Sequence, residues 1–537
     1  MNEVVYLING QIKKTATSNE DIIIDSKTEG SRNIVTVKAL KPLILKRAYQ
    51  NLSAKFDKES RFFLNGYQSW TDTKEFLFSE KEKNIYKLPK MLVNMFSFDK
   101  YGDAPFYSYR NSKLHGYDIF YIKGKDEFFS FNNNYKNAYL IYEIFKKEKV
   151  LALTSDVDNK FLDINQEYTV MDYSVYKSIE EGLNAFNLKF PKRNLEKVFG
   201  YTSWYNYYQD INSEIILRDL DSLDERFNLF QIDDGYETFV GDWLDVDKNK
   251  FPEGLEPIVK KIHDKGYKAG IWLAPFVAEE KSKLFTEHKE LFKKVNGEYV
   301  KCGSNWSGFY ALDFENEEAR AYIKKSLEYF MDLGFDFFKL DFLYGISLAP
   351  YKGKTRSEVA EEAYEFIRSI LKDKLILGCG ATLANAISRF DYLRIGPDVS
   401  LKFDDIWYMK FMHRERISTK VTLQNTVYRS IFNDRFFGND PDVFLLRKEN
   451  ISLSHDQKVA LVLINALFGS VLMTSDNIAD YDIDASGLLE EAFDIFYHAT
   501  DISYYRAGKY IDIFYRLNGK EKRLVYNTKK GVMTYGR

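Results

Sequence analysis

Three short segments place charged side chains at the ends of apolar runs. They are LFQIDDG (229–235) with Asp233 and Asp234, FFKLDF (337–342) with Lys339 and Asp341, and YLRIGPD (392–398) with Arg394 and Asp398. Residues i and i+2 of a strand share a face, so each base is predicted to enter the same space as its neighbouring acid. An ion pair or a helix cap would explain any one of these acids, but this many at three strand ends indicate a shared chemical task. Paired carboxylates fit glycoside hydrolysis, where one attacks the anomeric carbon and the other protonates the leaving oxygen.

The elements that must position these residues are parallel strands. From residue 191 onward, apolar strand-like runs alternate with long amphipathic stretches, which is typical of repeated βα units. Six strands are clear and two more are predicted with less support, and the set is 199–204, 229–235, 268–275, 337–342, 375–380, 392–398, 436–440 and 470–475. Strands buried on both faces should be apolar up to their carboxyl ends, where active-site groups emerge, and these runs follow that rule.

The regions on either side of the predicted βα units have a different sequence pattern. Residues 1–190 consist of short β-rich runs broken by Asn, Gly, Asp and Lys clusters, which predicts an antiparallel β-sandwich. The tail from about 486 to 537 carries two β-rich runs around a turn. The predicted fold class is therefore multidomain, with an N-terminal β-sandwich (1–190), a central catalytic (β/α)₈ TIM barrel (191–485) and a small C-terminal β domain (486–537).

Composition narrows the class of protein. With 29% charged residues, 45% hydrophobic residues and a net charge of -3, the chain is globular, and its charge gives no reason to expect nucleic acid or a membrane surface as partner. Cys302 and Cys379 are too few for a disulfide framework, and no leader or long apolar run appears. These features predict a cytoplasmic location.

Other catalytic classes fit less well. The chain has only six His, none in an HxH or HExxH spacing, so no metal is predicted. No GxSxG, GxxxxGK[ST] or strand-linked GxGxxG appears, which argues against serine hydrolases, P-loop enzymes and dinucleotide enzymes. The predicted partner is a small-molecule substrate, with no cofactor.

Seven motifs in order then identify a resemblance. GYQSW, FGYTSWYNYY, FQIDDGYE with GDWL, AGIWLAPF, FFKLDFLY, LGCG and RIGPD together resemble glycoside hydrolase family 36, in particular its shorter bacterial α-galactosidases. The resemblance covers about 198 to 475, and GYQSW extends it into the β domain. It implies a retaining exo-α-galactosidase that removes terminal α-D-galactosyl residues through a covalent galactosyl-enzyme.

The resemblance assigns roles to residues. Asp341 looks like the nucleophile and Asp398 like the general acid/base, while Asp233 and Asp234 resemble the pair that accepts hydrogen bonds from the 4- and 6-hydroxyls of galactose. The remaining implied substrate contacts are two basic partners, two aromatic walls and a strand-end pair facing the 2-hydroxyl: Lys339, Arg394, Trp204, Trp272, Cys379 and Gly380.

Trp70 of GYQSW belongs to the predicted β domain, so it must lean over the barrel mouth to reach a substrate. Its alternative role is packing at the domain interface. Tyr205, Tyr207 and Tyr208 are compatible with a homo-oligomer interface, although core packing is the favoured explanation.

Three functional alternatives remain. The small residues in GCGAT could admit the acetamido group of an α-N-acetylgalactosaminide, although related galactosidases also carry small residues there. A carbohydrate-binding protein without catalysis conflicts with the retention of Asp341 and Asp398. A transglycosylase of the same clan differs from a hydrolase only in how the intermediate partitions between water and sugar acceptors, and sequence leaves the natural leaving group open.

Overall fold

The computed structural model describes residues 3–83, 85–125, 127–189, 195–404, 407 and 414–536. Its N-terminal part contains two seven-stranded antiparallel sheets that enclose a separate hydrophobic core. One sheet comprises the strands Glu3–Ile8, Gln11–Thr15, Leu43–Leu52, Lys113–Tyr117, Tyr139–Phe145, Val150–Asp156 and Phe161–Leu162. The other comprises Ile22–Glu29, Arg32–Ala39, Arg61–Leu64, Lys74–Leu77, Ile119–Lys123, Phe128–Asn133 and Glu167–Tyr176.

Alternation of side chains explains this sandwich. In Glu3–Ile8 every second residue is buried, namely Val4, Tyr6 and Ile8, so one face of the strand joins the core. Outside the sheets, this part carries the 3₁₀ helix Ile85–Lys87 and the helices Lys90–Phe96 and Ile179–Lys189. The predicted N-terminal β-sandwich is confirmed.

The central sheet is entirely parallel. Its strands are Val198–Thr202, Leu229–Ile232, Lys268–Leu273, Phe337–Leu340, Leu375–Gly378, Tyr392–Arg394, Gly438–Asp440, Val443–Phe444 and Val471–Thr474. Gly438–Asp440 pairs with the sixth strand, whereas Val443–Phe444, two residues later, pairs with the last. This interrupted seventh strand closes the sheet into an eight-stranded barrel, which confirms the predicted fold, including the two strands of least support.

Helices surround the barrel. They are Trp204–Tyr207, Ser213–Ser222, Glu256–Asp264, Lys283–Glu287, Glu317–Asp332, Arg356–Leu371, Leu383–Ala386, Thr419–Tyr428, His455–Phe468 and Ile483–His498, with 3₁₀ turns at Lys289–Leu291, Leu343–Ser347, Arg429–Phe432 and Ile478–Asp480. Local sequence sets several boundaries. Thr355 and Glu358 form a capping box at the start of Arg356–Leu371, and Gly334, with φ of 97°, lies two residues after the end of Glu317–Asp332.

Smaller sheets complete the chain. The loop after the third barrel strand contains Val277–Glu279, Lys301–Gly303 and Phe309–Ala311 in one sheet and Lys294–Val295 with Glu298–Tyr299 in another. The C-terminal sheet consists of Thr500–Ala507, Tyr510–Leu517, Lys520–Asn527 and Val532–Tyr535. No helix among the described residues combines the length and apolarity needed to cross a membrane. The predicted domain boundaries at 190 and 485 stay predictions.

Candidate active site

Asp341 follows the fourth barrel strand and is held through both carboxylate oxygens. The Trp272 indole Nε1 donates to Oδ2 at 3.1 Å, and the Phe342 backbone N–H donates to Oδ1 at 2.8 Å. Phe342 has a left-handed φ of 51°, a conformation that costs energy for a non-glycine residue and is concentrated at functional sites. Burial raises the pKa of Asp341 and the nearby Asp398 adds to this, while Lys339 opposes it.

Asp398 belongs to a cluster around one guanidinium. The sixth strand ends at Arg394, so Asp398 lies in the following loop rather than in the strand as the sequence predicted. The two remain paired, with Arg394 Nη1 donating to Asp398 Oδ1 at 3.0 Å. Arg394 also contacts Asp440 and Asp442, each at 2.9 Å, and both of those acids are fully buried. Asp398 is 33% exposed, so it is the member of this cluster that reaches solvent.

Asp233 accepts protein hydrogen bonds on both oxygens, and its Oδ1 takes the Asp234 backbone N–H at 3.0 Å. Its Oδ2 accepts from Lys339 Nζ at 2.8 Å, Gln231 Nε2 at 2.7 Å and Thr202 Oγ1 at 3.1 Å. Burial alone would lower the pKa of Lys339, but the Asp233 carboxylate raises it above its ordinary value. Lys339 therefore stays charged and keeps two further N–H donors for a ligand.

Asp234 faces a different set of donors. Gln209 Nε2 donates to Oδ1 at 3.0 Å and the Trp306 indole Nε1 donates to Oδ2 at 2.8 Å. A carboxylate offers about four lone-pair positions, so both oxygens of Asp234 retain capacity for a ligand hydroxyl. Burial raises the pKa of Asp234, and it raises the pKa of the adjacent Glu237 still further.

Trp70 reaches the barrel mouth from the β domain. Its ring packs edge-on against Phe342 and Tyr344, with ring centroids 5.3 and 5.5 Å apart. The loop that carries it pairs with the loop after the fifth barrel strand, because the Ser69 N–H donates to the Ala381 carbonyl at 2.9 Å. The Trp70 indole Nε1 is buried and has no acceptor among the described residues. The residue thus packs at the domain interface and lines the site at once.

Of the remaining predicted substrate contacts, Cys379 and Gly380 lie at the site, whereas Trp204, among the described residues, does not contact its acids. Cys379 is buried against the acids, and burial raises the pKa of its thiol. Gly380 adopts φ of 60°, and a Cβ there would lie 3.1 Å from the Trp70 ring, so glycine permits this close approach. Trp204 begins a short helix after the first strand and packs against Tyr208 at 5.1 Å. No described contact joins Trp204 to the acids.

One cavity joins the two predicted catalytic acids. It has a volume of about 200 Å³ and is lined by Trp70, Phe98, Tyr101, Ser304, Asn305, Asp341, Phe342, Pro397, Asp398, Glu415, Arg416 and Ile417. We call it the acid-lined cavity. A larger cavity of about 680 Å³ lies at the amino-terminal ends of the strands, around His263, Asp336 and Lys374. That end of a barrel contributes to stability rather than catalysis, so it is not the candidate site.

Sequence reasoning missed several of these residues. Trp306 stands in GSNWSG between two short strands, and its position among polar residues was the available signal. Asp442 follows Asp440 by two residues, which is the same i, i+2 spacing used for Lys339 and Asp341. The Tyr205 hydroxyl donates to Asp442 Oδ2, so this tyrosine is buried inside the site. Among the described residues, no group of three or more His, Cys, Asp or Glu is arranged to hold a metal ion.

Comparison with protein families gives a match at the barrel. Residues 193–375 match the Melibiase family model. Among curated relatives, α-xylosidase XylQ of Lactiplantibacillus pentosus is 32% identical over 154 residues, 27% of this chain and 20% of that protein. Alpha-galactosidase 1 of Pediococcus pentosaceus is 28% identical over 173 residues, 29% of this chain and 23% of that protein. The aligned segments thus span about a fifth to a quarter of these relatives.

Solved structures match over the whole chain. The α-galactosidase TtGalA from Thermus thermophilus, solved with p-nitrophenyl α-D-galactopyranoside, has a TM-score of 0.71 and 22% identity, covering 97% of this chain and 98% of that one. The family 36 α-galactosidase AgaA from Geobacillus stearothermophilus has a TM-score of 0.61 and 11% identity, covering 98% and 80%. At this identity, the likeness shows the fold. Residues 193–375 of the barrel are therefore similar to the Melibiase model, and the chain shares its fold with these solved structures.

Proposed function

We propose that this Melibiase-type barrel is a retaining exo-α-galactosidase that removes terminal α-D-galactosyl residues through a covalent galactosyl-enzyme. The observation that carries the proposal is that Asp341 and Asp398, from the ends of two different strands, line one small cavity with an aromatic wall. The Melibiase match and the curated α-galactosidase relatives support the choice of substrate.

Asp341 is proposed as the nucleophile. Donors on both of its oxygens fix the carboxylate plane, which orients one oxygen lone pair toward an anomeric carbon without further ordering. Attack forms the Asp341–galactosyl ester and breaks the glycosidic bond. Lys339 lies close enough to favour the ionised carboxylate that this step requires.

Asp398 is proposed as the general acid/base. It donates its proton to the glycosidic oxygen as the leaving group departs, and in the second step it takes a proton from the water that attacks the ester. Its partial exposure provides the water access which that second role needs. Arg394 holds the carboxyl in place, and Asp440 and Asp442 hold Arg394 in turn.

Sugar hydroxyls are proposed to bind beneath this pair. Asp234 offers acceptor positions on both oxygens, and Lys339 offers two remaining donors, while Asp233 acts chiefly by holding Lys339. Trp272 presents its ring beside Asp341, and the Trp70 indole N–H awaits an acceptor. Leaving that buried donor unpaired costs about 1–3 kcal/mol, which a ligand oxygen would recover.

Two other sugars are the competing substrates. For an α-N-acetylgalactosaminide, the glycine at 380 does not open extra space, because the Trp70 and Tyr344 rings stand 3.1 and 3.2 Å from where its Cβ would be. This contact favours galactose. For an α-xyloside, the supporting observation is the XylQ relative, which is 32% identical over 154 residues, against 28% over 173 residues for alpha-galactosidase 1.

Initial rates on p-nitrophenyl α-glycosides test the function. We expect the α-galactoside to be hydrolysed faster than the α-N-acetylgalactosaminide, α-xyloside and α-glucoside, and the activity to survive a metal chelator. Asp341→Ala should lose at least about 10⁴-fold in kcat, as removal of a covalent nucleophile does. Near-normal activity of that variant would contradict the assignment, and a silent wild-type enzyme would favour a binding protein.

Product stereochemistry separates the two carboxyl roles. Proton NMR of the first released galactose should show the α anomer, the sign of retention. With azide, Asp341→Ala should give β-galactosyl azide by a single displacement, whereas Asp398→Ala should give α-galactosyl azide because the covalent intermediate still forms. The same anomer from both variants would refute this division of roles.

A cytoplasmic location and a small imported α-galactoside as natural substrate complete the proposal. They are supported by the two buried free cysteines, which fit a reducing compartment. Cell fractionation tests the location. Light scattering tests the homo-oligomer that the segment 205–208 suggested, although Tyr205 itself faces inward.

A further inference from the structure

The acid-lined cavity lies on the outer side of the two catalytic carboxyls. Asp233, Asp234, Lys339 and Arg394, which are proposed to hold or brace the galactose end, do not line it, although all are described. A glycosidase holds the departing part of the substrate on the side of its acid that faces solvent. Asp398 is the exposed member of its cluster, so the cavity is where a leaving group would lie.

The size of this cavity limits its occupant. A volume of about 200 Å³ equals about seven waters at ~30 Å³ each. Sites for drug-sized ligands are larger, at roughly 300–1,000 Å³. One six-membered ring therefore fits, and further units of a longer substrate would extend outside.

The lining indicates the chemistry of that ring. Phe98, Trp70 and Ile417 offer apolar surface, as the C–H face of a pyranose requires, while Ser304, Asn305 and Glu415 offer polar groups. Arg416 is buried and donates to Asp404 at 2.9 Å, so its charge is balanced within the protein. Burial raises the pKa of Glu415 to about 7, so near neutral pH its carboxyl both donates and accepts hydrogen bonds. A neutral polyhydroxyl ring matches this set better than a charged group.

Contacts between the two domains hold the polar groups in place. The Tyr101 hydroxyl donates to Asn305 Oδ1 at 2.5 Å and accepts from the Ser304 N–H at 2.9 Å. Glu415 packs against the backbone of Gly102, where a Cβ would lie 2.6 Å from the carboxyl carbon. Any side chain at 102 would thus displace this carboxyl.

We infer that the acid-lined cavity is the leaving-group subsite of the proposed glycosidase, and that Glu415 selects a single neutral sugar ring there, with Tyr101 positioning Ser304 and Asn305. The inference rests on the proposed function. Hydroxyls of the leaving sugar bond to Glu415, whereas a nitrophenyl group lacks hydroxyls and gains only the apolar contacts. Glu415 thereby acts on choice of leaving group rather than on galactose.

The test compares kcat/KM for melibiose and for p-nitrophenyl α-galactoside. Glu415→Gln should lower the value for melibiose by about tenfold, or 1.4 kcal/mol, and that for the nitrophenyl substrate by less than twofold. The inhibition constant of galactose should stay unchanged. Glu521→Gln, at an 87% exposed carboxylate, is the matched control and should change neither.

Two further variants guard against a folding effect. Gly102→Ala leaves Glu415 in the sequence but displaces its carboxyl, so it should reproduce the selective loss for melibiose, and Tyr101→Phe should do so more weakly. Addition of glucose to the nitrophenyl reaction should give less galactosyl-glucose in Glu415→Gln than in wild type, because the acceptor uses the same subsite. Equal losses on both substrates, or no loss, overturn the inference. A wild-type enzyme inactive on both substrates instead refutes the proposed function itself.

Discussion

At the scale of single residues, the site is organised by which donor occupies which carboxylate oxygen. Asp233 spends one oxygen on three donors, including Lys339, whereas Asp234 accepts one donor on each oxygen. Two adjacent acids of identical type therefore have different tasks. In the proposed function, Asp233 acts chiefly by holding Lys339, and Asp234 is expected to accept from a substrate hydroxyl.

The indole N–H of Trp306 is expected to orient Asp234 for substrate binding. Trp306→Phe keeps the ring contacts with Phe342 and Phe309, at 5.1 and 5.3 Å, but removes the N–H that donates to Asp234. Loss of a hydrogen bond to a buried carboxyl costs about 1–3 kcal/mol. We expect kcat/KM for the α-galactoside to fall by roughly 10- to 100-fold.

The same exchange at an exposed tryptophan is the control for this prediction. Trp407 is 70% exposed, so Trp407→Phe should leave the kinetics unchanged. Unaltered kcat/KM in Trp306→Phe would show that the indole N–H has no part in orienting Asp234.

At the scale of elements, a buried arginine adds four hydrogen bonds to the contacts that hold the loop carrying Trp70 on the barrel. Arg429, in a 3₁₀ turn beyond the sixth strand, donates to Asn65 Oδ1 at 3.1 Å and to the backbone carbonyls of Gln68 and Ser69. It also donates to the Ile395 carbonyl at 2.8 Å. Burial lowers the pKa of Arg429 to about 9, with Arg414 adding to this effect.

Removal of this guanidinium should loosen the loop. Arg429→Leu leaves several buried carbonyls without a donor, so we expect the free energy of unfolding to fall by about 2–4 kcal/mol. Because Trp70 lines the site, kcat/KM should fall as well. Urea unfolding and steady-state kinetics measure the two effects.

Arg435→Leu is the matched control for Arg429→Leu. Arg435 pairs with Glu180, which is 64% exposed, and such surface pairs contribute at most about 1 kcal/mol. A loss from Arg429→Leu no larger than from Arg435→Leu would show that the loop is held by other contacts.

At the scale of the whole molecule, buried titratable groups set the pH range of stability. Burial alone would raise the pKa of Asp103 and that of Asp404. His115 instead lowers the pKa of Asp103 to about 2, and Arg416 lowers the pKa of Asp404 to about 2. Their stabilisation is present above the ordinary Asp pKa and is lost as the pH falls through the folded value. Burial raises the pKa of Asp118 to about 6 and that of Glu415 to about 7. Their stabilisation is complete below the unfolded pKa and is lost as the pH rises through the folded value.

The melting temperature should therefore be highest near pH 4–5 and fall toward pH 7. Asp118→Asn should reduce the fall in melting temperature toward pH 7, because the amide does not ionise. The variant should keep the local structure, since the amide oxygen can still accept from Asn133 and Leu140 and the left-handed φ of 58° suits Asn. At pH 8 this variant should be more stable than wild type by about 3 kcal/mol, with no gain below pH 4. Calorimetry from pH 3 to 8 measures both, and a gain independent of pH would contradict the assignment of Asp118.

The sandwich, the parallel strands and the acids at their ends could all be predicted from the amino-acid sequence. Period-2 alternation, near-continuous apolar runs and strand-end charges are local patterns, so they can be read without knowing which strands meet. The i, i+2 spacing predicted that Lys339 and Asp341 share a face, but Lys339 forms its ion pair with Asp233. The four-residue spacing kept Asp398 near Arg394 even though the strand ended earlier than predicted.

The donors that each acid receives could not be predicted, because they depend on contacts between distant parts of the chain. Trp306 bonds to Asp234 across 72 residues of sequence, and Arg429 bonds to Asn65 across 364. Such contacts form because barrel closure and domain docking bring distant segments together, and no local pattern encodes that distance. The same closure placed Glu415 and Tyr101 in one cavity with the proposed catalytic acids, where the sequence had left the leaving group undetermined.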